Sequence, residues 1–170
     1  MKVTVKIALV VAGLALAACT DAGRFGAGGA GGANGAGGSG AIVPGSANDP
    51  TSTAYFNQTI GDRVLFSVDE STISEAGRVT LDGQADWLLN NTEFTAVIEG
   101  HADEQGTREY NVALGARRAN AVREYLVSRG VADNRLQTVS FGKERPIEIC
   151  SNEECYAKNR RAVTVLAAGL

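Results

Sequence analysis

Between Glu99 and Thr107 the sequence Glu-Gly-His-Ala-Asp-Glu-Gln-Gly-Thr gathers three carboxylates, an amide and the chain's one histidine. Three chemistries are open to such a cluster. Asp103 stands just ahead of a helical pattern, where a carboxylate is stabilised by the helix dipole, so capping is its simplest role. Glu99, Asp103 and Glu104 could instead supply the two separated carboxylates a glycosidase needs. Asp103 could also meet a cation, and the helix that follows offers one. Leu114, Arg118, Val122 and Leu126 recur every four residues and share one side of a helix. Three of them are apolar and Arg118 interrupts them. An arginine is not buried cheaply without a partner. Its stem could run out to solvent, it could form an ion pair with Asp103, or the two could border a ligand pocket, and the pattern alone leaves these open. The sequence has no Gly-x-Ser-x-Gly, no His-Glu-x-x-His and no cysteine near the histidine, which argues against an enzyme. His101 lacks a second histidine or cysteine beside it, so no metal is expected there. No cofactor is expected either.

These residues are positioned by an alternating series of elements. Val64 to Val68 reads as a strand ending at Asp69. Ser74 to Asn90 reads as a helix capped by Ser74, with Val79, Leu81, Ala85, Leu88 and Leu89 at spacings of three and four. Phe94 to Glu99 alternates as a strand. A long helix runs from about Glu109 to Arg129 and stops at Gly130. Leu136 to Phe141 and Arg161 to Ala167 complete the strands. The order β-α-β-α-β-β implies an α/β (α+β) two-layer sandwich, with both helices on one face of a small mixed sheet. Trp87 and Tyr125 fall within the helices as core or partly buried residues.

Ahead of this domain the composition changes twice. Lys2 and Lys6 open the chain, and Ile7 to Ala17 is an uncharged run too short to span a bilayer. It ends in Leu16-Ala17-Ala18-Cys19, which resembles the lipobox of bacterial lipoproteins. Residues 1–18 are therefore expected to be a cleaved signal and Cys19 a lipidated N-terminus. Several acyl chains would anchor it stably, whereas one would not. Thr20 follows the cysteine in place of an inner-membrane retention aspartate, so the outer membrane is favoured, with the domain facing the periplasm. Residues 19–54 read as a flexible linker, almost wholly Gly and Ala from Ala22 to Gly40. Residues 55–170 form the domain. Without Lys2 and Lys6 the chain keeps 14 basic against 19 acidic residues, near −5, which argues against nucleic acid. Cys150 and Cys155 are read as a disulfide stapling one loop in an oxidising compartment, with free thiols and a metal as the alternatives.

Gly100-His101-Ala102-Asp103, Gly106-Thr107, Asn111, Leu114-Gly115, Arg117-Arg118-Ala119 and Val122 resemble the OmpA-type peptidoglycan-binding domain. Val139-Ser140-Phe141-Gly142-Lys143-Glu144-Arg145-Pro146 and Asn159-Arg160-Arg161 continue the match in order, over about residues 55–167. The resemblance implies that Asp103 and Arg118 hold the diaminopimelate of a peptidoglycan stem peptide. Asp103 would accept from its ammonium and the planar fork of Arg118 would grip its carboxylate. Asn111 and Leu114 match positions beside that pocket, and Asp69, Val68 and Arg160 match its rim. Val68 departs from the aromatic or leucine often found there, and the Cys150–Cys155 loop is not a general feature of the family. His101 matches a structural residue at the strand end. With its lipobox and linker the chain is similar to the lipoprotein members of the family. The expected function is a non-covalent tether between outer membrane and wall, partnered by a TolB-like periplasmic protein in a Tol-Pal system that supports envelope integrity and cell division.

Overall fold

The computed structural model describes residues 42–149 and 151–168, all within one unit from Gly40 to Leu170. The expected signal peptide, Cys19, the linker up to residue 41 and Cys150 lie outside the described residues. In chain order the elements are α1 (Thr53–Tyr55), a π-helical turn Phe56–Gly61, β1 (Arg63–Leu65), α2 (Glu75–Asn90) and β2 (Phe94–His101). There follow α3 (Arg108–Ser128), a 3-10 turn Asp133–Arg135, β3 (Leu136–Gly142), α4 (Glu153–Asn159) and β4 (Arg161–Ala168).

Alternation along β2 sets the layers. Ala96, Ile98 and Gly100 are buried, and their neighbours across β4 are Leu166, Thr164 and Ala162. These side chains share one face of the sheet, because cross-strand partners point the same way. The four strands lie in the order β1-β4-β2-β3, antiparallel except for the β2–β3 pair. Leu81, Ala85 and Leu88 of α2 and Ala119, Val122 and Leu126 of α3 complete the core on that face. This is the α/β two-layer sandwich the periodicity implies. Ser74 caps α2, accepting from Gly77 N at 3.1 Å. Gly130, at φ +103, ends α3 with Val131 N bonded back to Leu126 O.

Helix and sheet approach most closely at two glycines. A Cβ on Gly100 would lie 1.8 Å from Gly115 O, and one on Gly115 would lie 2.4 Å from Ser140 Oγ. Only hydrogen fits between these backbones. The contact seats the first half of α3, which carries Asn111, Leu114 and Arg118, directly on the end of β2.

Four sequence expectations change. The first strand stops at Leu65 rather than Val68, because the carbonyls of Ser67 and Glu70 turn to Arg118. Val79 and Leu89 are exposed rather than core, and Gln84 takes the buried place on α2. Its amide is satisfied at both ends, donating to Gly61 O at 2.7 Å and accepting from Thr164 Oγ1 at 2.8 Å. The linker ends earlier than residue 54. Ser52 caps α1, Thr59 Oγ1 donates to Ala47 O, and the buried Trp87 indole donates to Pro50 O at 2.7 Å. A buried indole N–H needs an acceptor, and the chain before α1 folds back to supply it. The fourth change is α4, an additional helix between β3 and β4. Asn152 caps it by accepting from Cys155 N. Among the described residues no helix is long and apolar enough to cross a membrane.

Candidate functional site

Arg118 organises its surroundings through backbone carbonyls. It is fully buried. Nε donates to Glu70 O at 2.7 Å, Nη1 to His101 O at 2.9 Å and Nη2 to Ser67 O at 3.1 Å. Its guanidinium also lies over the Phe66 ring, 5.2 Å from the centroid. The chain from Phe66 to Glu70 therefore leaves the sheet and wraps around this one side chain, which is why β1 is short. Burial lowers the pKa of Arg118 to about 10, against the attraction of Asp103 and with the repulsion of Arg160. It remains a cation at neutral pH.

Asp103 pairs with a different arginine. Its Oδ2 accepts from Arg160 Nη1 at 3.1 Å, and both side chains are nearly buried. Neither the direct Asp103–Arg118 pair nor the solvent-seeking Arg118 stem is what the structure holds. Capping falls to Thr107, whose hydroxyl accepts from Tyr110 N at 3.2 Å. Asp103 instead turns its own loop, Oδ1 accepting from Gln105 N.

Asp103 also borders a cavity of about 260 Å³. Asp69, Asp103, Asn111 and Leu114 line it, together with Val68. Gln105, Gly106 and Tyr110 complete the wall and were not picked out as site residues from the sequence. Asp69 has φ +59, a left-handed conformation that aspartate tolerates better than most residues. The Tyr110 hydroxyl bonds to its carboxylate. Asn111 is buried and faces the loop, its Nδ2 donating to Gln105 O at 2.7 Å. Neither Arg118 nor Arg160 lines it, but Arg160 is bonded to Asp103, and Arg118 is near enough to Asp103 and Asp69 to feel their charges. A larger cavity of about 500 Å³ lies by α1 and α2, with Asp86 as the one carboxylate in its lining. The smaller cavity combines two carboxylates, an apolar floor and two cations close by, which suits an ionic ligand.

The loop Asp103–Gly106 is held from outside by three further side chains. Tyr156 OH and Ser151 Oγ donate to Glu104 Oε1, and Lys143 Nζ donates to the carbonyls of Glu104 and Gly106. Cys155, buried in α4, is disulfide-bonded, while its expected partner Cys150 lies outside the described residues. His101 is buried, stacked on Phe141 at 5.6 Å, and neither ring nitrogen has a hydrogen-bond partner. Glu99 Oε2 is 3.6 Å from its Nε2, too far to count as one. Burial, with the charges of Arg161 and Arg145, brings its pKa down to about 4, so the ring is neutral. Among the described residues no three His, Cys, Asp or Glu side chains are grouped as a metal would need.

A family model described as the OmpA family matches residues 65–160, spanning every residue of this site. The chain belongs to the OmpA family. Within it, the chain groups with the peptidoglycan-associated lipoproteins. The protein of that name from Mesorhizobium japonicum is 50% identical over 172 residues, covering 96% of this chain and 91% of the relative. That from Brucella suis is 50% identical over 126 residues, covering 74% and 71%. The crystal structure of the peptidoglycan-associated lipoprotein from Burkholderia pseudomallei superposes with a TM-score of 0.64 at 36% identity, covering 71% of this chain and 98% of that one. The C-terminal domain of Helicobacter pylori MotB shares the fold, with a TM-score of 0.59 at 22% identity over 63% of this chain and 84% of that one.

Proposed function

We propose that this chain is an outer-membrane lipoprotein that binds peptidoglycan non-covalently through the diaminopimelate of its stem peptides. The observation that carries the reading is the cavity lined by Asp69 and Asp103, with the buried Arg118 cation close enough to feel both carboxylates. Diaminopimelate in a stem peptide ends in an ammonium and a carboxylate. The ammonium would sit against the Asp103 carboxylate. Arg118 is fully buried with its hydrogen bonds spent on carbonyls, so it would draw the ligand's carboxylate as a nearby cation rather than by contact in this arrangement. Lysine lacks that carboxylate and should be held less well. Asp69, Asn111, Leu114 and Arg160 complete the proposed set, of which Asn111 and Arg160 act by holding the loop and Asp103. Relatives that carry the name peptidoglycan-associated lipoprotein support the peptidoglycan ligand and the lipid anchor.

Lipidation at Cys19 would hold the chain in the outer membrane with the domain in the periplasm. The tether would join membrane to wall within a Tol-Pal system, supporting envelope integrity and cell division. A TolB-like periplasmic protein would be the partner, through a surface overlapping the cavity. The test is co-sedimentation of residues 42–170 with diaminopimelate-type murein. Wild type should pellet and Asp103→Asn should stay in solution; equal pelleting would overturn the assignment. A TolB-like partner should displace the domain from murein, and a stable complex of all three would contradict the overlap. Cys19→Ala should release the protein into the periplasm, whereas continued fractionation with the outer membrane would defeat the lipid anchor.

A further inference from the structure

Asp103 belongs to a group of three charges. Arg160 is 4% exposed. Its Nη1 donates to Asp103 Oδ2 at 3.1 Å and to Glu153 Oε2 at 3.4 Å, its Nη2 donates to Glu153, and its Nε donates to Phe66 O at 3.2 Å. One buried cation is thus shared by two carboxylates, and the larger part of its fork faces Glu153. An Asp103–Arg160 pair alone would be neutral and would attract a cationic ligand weakly. With Glu153 these three side chains carry a net negative charge, which offsets the Arg118 cation coupled to them.

The position of Glu153 is well supported. It opens α4, whose first turn is capped by Asn152, and Cys155 two residues on is buried and disulfide-bonded. The same segment supplies Ser151 and Tyr156 to Glu104, the neighbour of Asp103. The Arg160 hydrogen bond holds the Glu153 carboxyl below its usual range, so it is ionised at neutral pH although two-thirds exposed.

Resting on the diaminopimelate reading above, we propose that Glu153 is a positioning residue for the cavity. It draws the Arg160 guanidinium partly off Asp103, so that Asp103 keeps its charge for the ammonium of the ligand. Glu153 needs no contact with the ligand to do this. Glu153→Gln removes the charge and keeps one of the two acceptors that Arg160 uses, so the salt dependence of the loss separates the electrostatic role from a bracing one.

The experiment is calorimetric titration of the full chain, extracted in detergent, with a diaminopimelate-containing muropeptide at low salt and at about 0.5 M salt. Glu153→Gln should bind about fivefold more weakly than wild type at low salt. The gap should close at high salt, because an exposed charge is screened, while thermal unfolding stays unchanged. Equal affinities at low salt would overturn the proposal. So would a gap that persists undiminished at high salt, since that is the mark of a brace. A wild type that fails to bind would overturn the diaminopimelate reading and this inference with it, before any variant is compared.

Discussion

Replacing Arg118 by alanine should destabilise the folded domain as well as its ligand binding. The side chain donates to the carbonyls of Ser67, Glu70 and His101. Ser67 and Glu70 are exposed residues whose carbonyls can turn to water, whereas His101 is 1% exposed and its carbonyl cannot. One stranded buried acceptor costs about 1–3 kcal/mol. Loss of the buried side chain, including the guanidinium's cation–π contact with Phe66, adds about 1–2 kcal/mol. Relief of a buried cation offsets part of this. A net loss of about 3 kcal/mol is expected, a large fraction of the stability of a domain this size. Urea unfolding of residues 42–170 would measure it, with the change seen in the midpoint. Arg118→Lys, which keeps the charge and loses the planar fork, should fall between. An Arg118→Ala midpoint equivalent to less than about 1 kcal/mol of change would refute the view that this side chain holds the 66–70 loop. If the loss is found, Asp103→Asn is the cleaner probe of ligand contact.

Other outcomes follow from single contacts. His101 is neutral when folded, with its pKa lowered to about 4 by burial, so the unfolded state binds more protons between pH 6.5 and 4. Stability should therefore fall through that window as pH drops, by about 3 kcal/mol in total, and His101→Gln should flatten the curve; an imidazole titrating by NMR above pH 6 would contradict this. Gly100→Ala places a Cβ 1.8 Å from a backbone oxygen, so it should cost more than about 3 kcal/mol, and a melting temperature within a few degrees of wild type would show that α3 can move off β2. Starting the domain at residue 55 removes the Pro50 acceptor of Trp87. This should cost about 1–2 kcal/mol relative to residues 42–170, checked by thermal unfolding of the two fragments.

The long elements were readable because burial imposes a period. Leu114, Arg118, Val122 and Leu126 all prove buried, and the one polar residue among them marked the site. What partners it was not readable. An arginine in an apolar stripe points to a carboxylate, yet Arg118 is met by three main-chain carbonyls, which every residue carries and no sequence distinguishes. The partner of Asp103 lies 57 positions away in Arg160, a pairing made only once β4 is laid beside β2. The seven residues of α4 are too few for a hydrophobic period. Asn152 followed by Glu153 and Glu154 is nevertheless a helix-start signal that could have found it. Tyr110 was hidden in the first turn of α3, and only the left-handed turn at Asp69 brings a carboxylate to its hydroxyl.

Recognition of both ends of diaminopimelate at the cavity beside Asp103 is the proposed basis of wall binding. It is tested most directly by titrating residues 42–170 calorimetrically with two stem peptides that differ only in carrying diaminopimelate or lysine. Tighter binding of the diaminopimelate peptide by at least about tenfold, the factor for one lost charge–charge interaction, is the predicted result. Equal affinity for the two, or no heat with either while the domain remains folded, would contradict it.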